Sequence, residues 1–207
     1  MSETVRLLKA LESAKGIEID RGEAIADIKA FAALVKPHFG KIEWTPPKSY
    51  VSVLESWGPF SARRHVASID SEVGFALLGE DDIGGVNEDL VHMPEGVSRD
   101  EGVDLTTNHL VGFAEADGEA VWCFDVTQGK DGEYPVYYHH QDEPRARILE
   151  SGAWDEPADG KPDFESFTQW LETMTAALVS KKPPKWFEDL GTPGMTFVKK
   201  RLKVEST

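Results

Sequence analysis

The sequence lacks the features that mark several classes of protein. Its 207 residues include a single cysteine, Cys123, which excludes an intrachain disulfide and a cysteine-based zinc site. No stretch approaches the roughly 18 apolar residues of a membrane span, and the N-terminal segment has no apolar core like that of a secretory signal. These absences predict a protein of the reducing cytoplasm.

Basic residues are also scarce. The chain has 22 lysines and arginines against 37 aspartates and glutamates, a formal net charge of −15. Residues 45–180 hold 27 of the acidic residues and eight of the basic ones, whereas residues 181–207 hold three and seven. Because nucleic acids and anionic membrane surfaces repel such a chain, neither is an expected partner. The charge favours a basic protein partner.

Apolar residues are plentiful enough for a folded domain. They make up 40% of the chain and include six tryptophans. A chain of this length corresponds to one domain, with or without an appendage. We assign residues 1–182 to a single domain and residues 183–207 to a basic C-terminal extension, which either folds back onto the acidic body or stays loose.

Four segments have the apolar spacing of amphipathic helices. The first repeats apolar residues over residues 5–11, and the second begins at a capping pattern that starts with Asp20. The third has Thr45 as its cap and Pro46 in its first position. The last is capped by Asp163 and ends before a pair of prolines.

The middle of the chain has the composition of strands. A hairpin is predicted around Asp117-Gly118, and residues 79–107 are predicted to be a long acidic loop region with at most a short strand or turn. Strands are predicted at residues 73–78, 110–114, 120–126 and 136–140, with a possible strand at 195–204. Helices, then strands, then a helix predict an α+β fold, with a largely antiparallel sheet flanked by N-terminal helices and a C-terminal helix.

Four blocks of sequence resemble motifs of the SUKH superfamily. They read PPKSYVSVLESWG from residue 46, LVGFAEADGEAVWCFDV from residue 110, YPVYYHHQDE from residue 134 and DFESFTQWLE from residue 163. Their order and spacing cover about residues 45–180. The motif positions, for which the resemblance implies a mainly structural role, are Pro46, Pro47, Tyr50, Trp57, Gly58, Gly112, Gly118, Asp125 and Phe167.

The superfamily comprises bacterial toxin-immunity proteins and fungal cell-wall-assembly regulators of the Smi/Knr type. The resemblance therefore implies a non-enzymatic protein that binds and neutralises a cognate toxin, as in a toxin–antitoxin pair. If that toxin is a nuclease, an acidic face would mimic the phosphate backbone of its substrate. A regulatory scaffold of the same fold, and less favourably a small carboxylate-dependent enzyme, stay open as alternatives.

Partner binding is assigned to acidic side chains of the 79–89 loop and the 115–119 turn, with two residues in or just after the strand predicted at 136–140. Tyr137 and Tyr138 alternate faces along that strand, so one of them is expected to be exposed. The predicted binding residues are Glu80, Asp81, Asp82, Glu88, Asp89, Glu115, Asp117, Glu119, Tyr138 and Asp142.

Other chemistry has weaker support. His139 and His140 point to opposite faces of a strand and cannot both reach one ion without a bulge, so we expect no metal site there. The acidic loop lacks the spacing of an EF-hand, and it is either solvated, partner-facing or, least favoured, calcium-binding. Cys123 is expected to be a buried, inert thiol. No cofactor is expected, and the sequence leaves the oligomeric state open.

Overall fold

The chain has an α+β fold built on an antiparallel six-stranded sheet. The structure is a computed structural model that describes residues 3–36, 44–92, 97–98, 104–117, 120–145, 147–148, 154–155, 157–195 and 197. The strands of the main sheet lie in the order β1-β2-β3-β6-β7-β8, and β4, β5 and β9 form a small second sheet.

Helices and strands are numbered in chain order. The helices are α1 (Glu3–Ser13), α2 (Ile28–Ala32), α3 (Lys48–Ser56), α4 (Ile83–Val86), which runs into a π-helical turn (Asn87–Val91), α5 (Phe167–Val179) and α6 (Lys185–Glu188). The strands are β1 (Glu18–Arg21), β2 (Phe60–Val66), β3 (Ser71–Leu77), β4 (Val97–Ser98), β5 (Asp104–Thr106), β6 (Leu110–Asp117), β7 (Ala120–Asp125), β8 (Val136–His140) and β9 (Arg147–Ile148).

Helix α1 packs against α3 and α5, and these two helices cover one face of the main sheet. Their apolar stripes meet aromatic side chains from β6 and β7, and the fully buried Tyr50 of α3 lies edge-on to Phe113, Phe124 and Phe167. Phe113 and Phe124 stack with their ring centroids 4.1 Å apart. This aromatic cluster is the centre of the main core, and it explains why the α3 and α5 motifs contain so many aromatic residues.

The opposite face is covered over β6, β7 and β8. There a second buried cluster forms around Val91, Leu110, Val121 and Tyr137, with Leu90 and Trp154 packed against it. The covering segment is α4 with its π-helical turn. The same face of β2 and β3 carries the exposed side chains of Arg63, His65 and Glu72. The described residues therefore cover both faces of the sheet at one end and one face at the other.

Asn87 fixes the covering segment to β6. Its side-chain amide donates to the carbonyls of Ile83 (2.8 Å) and Gly112 (2.9 Å), and its Oδ1 accepts from the Gly112 N–H at 2.7 Å. Gly112 permits this approach, because a Cβ there would lie 2.7 Å from Cγ1 of Val121. The polar groups of both residues are buried and depend on each other.

Asn87→Ala is expected to lower the free energy of unfolding by about 1–3 kcal/mol, because backbone groups of Gly112 and Ile83 lose their buried partner. Urea unfolding followed by tryptophan fluorescence measures the change. The matched control is Asp89→Ala, an exposed position in the same turn, which should stay within about 0.5 kcal/mol of the parent. Equal stability of the two variants would contradict the anchoring role.

Several elements predicted from the sequence are confirmed: α1, β3, the β6–β7 hairpin, β8 and α5. The helix predicted from Asp20 is wrong, because Glu18–Arg21 pairs with Phe60–Arg63 and forms β1. Only Ile28–Ala32 is helical there, capped by Asp27, whose Oδ1 accepts from Ala30 N–H at 2.9 Å. Pairing with a distant strand outweighs the local capping pattern.

Two predicted helix starts also differ. α3 begins at Lys48 rather than after Thr45, because Pro46 precedes another proline and is disfavoured in the helical region. α5 is capped by Ser166, whose Oγ accepts from Gln169 N–H at 3.3 Å. Asp163 is fully buried and serves a different purpose, described below.

The segment after residue 182 folds back onto the core as far as it is described. Its apolar residues Trp186, Phe187, Leu190, Met195 and Phe197 belong to the main hydrophobic cluster. Met195 and Phe197 lie outside any strand, and the rest of the strand predicted over residues 195–204 falls outside the described residues.

Candidate functional site

An acidic cleft of about 520 Å³ opens on the uncovered side of the sheet. It lies between the end of β1, the start of β2 and the loop after β3. Five carboxylates line it: Asp20, Glu23, Glu80, Asp81 and Asp82. Their concentration at one place gives the cleft a strongly negative potential, which attracts cationic groups.

Short backbone contacts between β1 and β2 shape the cleft. Gly22 N–H donates to Pro59 O at 2.9 Å, and Gly58 has a φ of +86°. A Cβ at Gly58 would lie 2.7 Å from the carbonyl oxygens of Gly22 and Glu23. Only glycine fits that turn, which brings the residues after β1 against the start of β2 and holds Glu23 in the cleft wall.

Arg21 is the basic residue among those lining the cleft. Its guanidinium lies over the Trp57 ring at 4.3 Å and donates to Trp57 O at 3.0 Å and to Glu12 at 3.3 Å. These contacts engage its charge away from the five carboxylates. The cleft therefore keeps an excess of negative charge despite the arginine.

The acidic character continues across the sheet. Cross-strand pairing places Asp20, Ser61, Ala76 and Glu115 side by side in one row over β1, β2, β3 and β6. Glu115 is half-buried, and burial together with the negative charge of Asp82 raises the pKa of its carboxyl, partly offset by Arg63. A cation arriving at this row would stabilise a carboxylate that is poorly solvated on its own.

The structure brings together four of the residues predicted to bind a partner. Glu80, Asp81 and Asp82 are exposed in the cleft, and Glu115 lies in the adjoining row. The four are joined by Asp20 and Glu23, which match a helix-capping pattern in the sequence. The acidic composition around β1 is the sequence feature that could have identified these two residues. It points to the site only once the pairing of β1 with β2 is known.

The other predicted residues lie elsewhere. Glu88 and Asp89 are exposed on the π-helical turn, and Asp142 is exposed just after β8. Asp117 ends β6, but its side chain falls outside the described part of the chain, as do Gly118 and Glu119.

The expectation that one of the two tyrosines of β8 is exposed is wrong. Tyr138 is 2% exposed, its hydroxyl donates to Thr192 O at 3.1 Å, and it accepts from Gly191 N–H at 3.0 Å. Tyr137 is also buried, and its hydroxyl donates to Gly160 O at 3.1 Å. Because both faces of β8 are covered, Tyr138 offers no surface to a partner in this conformation.

The described motif positions of the resemblance are buried structural residues. Tyr50 and Phe167 lie in the aromatic cluster, and Asp125 is fully buried. The carboxylate of Asp125 accepts from Arg147 Nη2 at 2.8 Å, from Thr127 and from Gln128, so it organises the turn after β7. Pro46, Pro47, Trp57, Gly58 and Gly112 are buried as well.

The candidate chemical groups are enclosed. His139 is buried, with its Nε2 2.9 Å from Leu90 O, whereas His140 faces the other way and its Nδ1 accepts from Asp142 N–H at 3.1 Å. Among the described residues no cluster of three His, Cys, Asp or Glu side chains is placed to hold a metal ion. Cys123 is fully buried, and burial raises the pKa of its thiol.

Comparison with the models of known protein families gives no match, and comparison with curated proteins gives none either. Within the described ranges, no helix is both long enough and apolar enough to pass through a lipid bilayer.

Proposed function

We propose that this protein is a non-enzymatic binding protein of the SUKH kind, an immunity protein that neutralises a cognate basic toxin by covering it. The observation that carries the proposal is the acidic cleft, together with the row that ends at Glu115. Five carboxylates around one opening suit a cationic protein surface.

The separation of the buried motif residues from the acidic cleft residues along the chain supports this proposal. The four motif blocks lie in α3, the β6–β7 hairpin, β8 and α5, and most of their large side chains are buried in the core. The cleft carboxylates come from β1, from the segment that follows it and from the loop after β3, all of which lie outside those blocks. A fold whose core motifs leave a separate acidic surface free is suited to recognising different partners through that surface.

Electrostatics would act on the rate of binding and on its strength. Complementary charge raises association rates towards about 10⁸–10⁹ M⁻¹s⁻¹ at low salt. Exposed cleft carboxylates would contribute mainly to that steering. Glu115, already partly removed from water, would contribute more to the lifetime of the complex, because pairing it costs less new desolvation. For a nuclease toxin, the same surface would occupy the groove that binds phosphates.

The proposal is tested with a variant that neutralises three cleft carboxylates, Asp20→Asn, Glu80→Gln and Asp81→Asn. The tagged parent should retain one basic protein from a lysate of its native host at low salt and release it at high salt. The cleft variant should bind that protein about tenfold more weakly, equivalent to about 1.4 kcal/mol. Coexpression of the parent, but not of the variant, should restore growth to cells that produce the captured protein.

The matched control changes the same number of charges at exposed positions outside the cleft: Glu55→Gln, Asp131→Asn and Glu165→Gln. It should bind and protect like the parent. Equal losses in both variants would mean that net charge rather than the cleft is responsible. Retention of several weak partners without growth protection would favour the scaffold.

A further inference from the structure

A second cleft separates β3 from β6, and we refer to it as the β3–β6 cleft. β3 pairs with β2 along all seven of its residues but with β6 only at Ala76 and Leu77. Residues 71–75 form no ladder pair with β6. Among the described residues, one backbone edge of β3 thus has no strand partner over five residues, a length of about 17 Å for an extended chain.

The lining of this cleft indicates that it follows the strand edge. Residues 71–76, six in succession, line it from β3, and Glu115 and Ala116 line it from β6. A hollow over a sheet face is lined by alternate residues of a strand, because successive side chains point to opposite sides. Consecutive residues on both walls place the space, about 380 Å³, between the two strands.

A β-bulge explains why the strands part. The pairing of β6 with β7 shifts between Glu115 and Asp117, so Ala116 is an extra residue that bends β6. On the other wall, Ser68 Oγ donates to Glu188 of α6 at 2.6 Å, which holds the β2–β3 turn against the segment after α5. Both walls are therefore held in place by neighbouring segments: β7 on one side and α6 on the other.

The chemistry of the walls defines the occupant. Glu72, Glu115 and Glu188 contribute three negative charges, against the single positive charge of Arg63. Ile69 at the cleft is 43% exposed and adds apolar surface, whereas the apolar lining residues Val73, Phe75 and Leu190 are packed mainly in the core. This mixture fits an extended chain whose side chains alternate between cationic and β-branched apolar types.

We infer that the β3–β6 cleft receives an extended cationic segment of the partner, which adds to the open edge of β3 as a further strand. The inference rests on the function proposed above, since it specifies how the basic partner engages the acidic side. Backbone hydrogen bonds from residues 71–75 would provide affinity, and lysine or arginine side chains near Glu72 and Glu115 would provide selectivity.

Because the partner is unidentified, the probe is a fluorescein-labelled octapeptide of alternating lysine and valine. Its affinity is measured by fluorescence anisotropy, and amide hydrogen exchange of the complex is followed by NMR. The peptide should bind with a micromolar Kd and slow exchange at amides within residues 71–75. An otherwise identical peptide with alternate amides N-methylated keeps the charge but loses hydrogen bonds along one edge, and it should bind at least tenfold more weakly.

Protein variants locate the site. Glu72→Gln combined with Glu115→Gln should lower the affinity for the unmodified peptide about tenfold. The matched control, Glu55→Gln with Glu165→Gln at exposed positions away from both clefts, should change its affinity less than twofold. Equal binding of the methylated peptide, or no protection within residues 71–75, would overturn strand addition. Concentration-dependent dimers protected at the same amides would also overturn it, in favour of a second copy as the occupant.

The two proposals fail separately. If the host partner is lost from the variant with three neutralised cleft carboxylates while the peptide shows no edge protection, strand addition is overturned and the proposed function stands. If the peptide protects the edge but that variant still captures the host partner and restores growth, strand addition is supported and the acidic cleft is overturned as the recognition site.

Discussion

Replacing Asp163 with alanine is expected to lower the free energy of unfolding by about 3–5 kcal/mol, because the partly buried Arg145 and two backbone N–H groups lose the carboxylate that they share. Asp163 is fully buried and accepts from Tyr138 N–H and Phe197 N–H, both at 2.8 Å. It also lies 3.1 Å from Nη2 of Arg145. One carboxylate therefore joins β8, the segment before β9 and the chain that follows α6.

The measurement is urea unfolding at neutral pH, followed by tryptophan fluorescence. Asp163→Asn keeps the shape and one acceptor oxygen but removes the charge, so it should lose less stability than the alanine variant and still fold if the latter does not. Glu165→Ala, two residues away and exposed, is the control and should stay within about 0.5 kcal/mol of the parent.

A double-mutant cycle with Arg145→Met separates the ion pair from the backbone contacts. The double variant should be less destabilised than the sum of the two single variants by about 1–3 kcal/mol, because either single change already breaks the ion pair. A loss below 1 kcal/mol for Asp163→Ala would mean that water or movement of the chain relieves the exposed partners. It would contradict the role of Asp163 as a junction.

Elements with a continuous apolar face could be predicted from the sequence, because burying one face is a local property. The spacing of Tyr50, Val53 and Leu54 on α3, and the apolar runs on either side of the 117–120 turn, need no knowledge of the rest of the chain. β1 could not be predicted in this way. Its residues Glu18–Arg21 are mostly exposed, and they form a strand because the edge of β2 satisfies their backbone groups.

The same reasoning applies to the candidate site. The carboxylates of residues 80–82 were identifiable by their density in the sequence. Their neighbours Asp20 and Glu23 were not, because the β1–β2 pairing that brings them together joins distant parts of the chain. The predicted exposure of Tyr138 is wrong for a related reason. Alternation along a strand predicts opposite faces, but whether each face is covered depends on segments such as residues 190–192, which lie far away in sequence.

Acidification from pH 7 to pH 5 is expected to lower the free energy of unfolding by about 3–4 kcal/mol through two buried histidines. Burial lowers the pKa of His109 to about 3, with repulsion from Arg147, His139 and His92 adding to the effect. Burial also lowers the pKa of His139 to about 4, to which the charges of Arg145, His140 and His92 contribute, opposed by the bond to Leu90 O.

The sign follows from proton binding. With pKa values below the ordinary value of about 6.5, both side chains stay neutral in the folded protein while the unfolded chain takes up protons. Their stabilising contribution is complete above about pH 6.5 and is lost as the pH falls towards the folded pKa values. For His139 the geometry agrees. Its Nε2–H donates to Leu90 O, and a proton added at the buried Nδ1 would find no acceptor in the part of the chain that the structure describes.

Urea unfolding at pH 7, 6 and 5 measures how the free energy of unfolding changes with pH. His109→Gln and His139→Gln should each remove about half of the pH dependence, and glutamine at position 139 retains a donor for the Leu90 carbonyl. The control is His65→Gln on the exposed edge of β2, which removes one histidine without altering the buried pair. An unchanged slope in both buried variants would place the acid sensitivity in the carboxylates. A halved pH dependence in each buried variant would place the acid sensitivity in the two histidines under the α4 segment. Their protonation would then loosen the cover over β6 to β8.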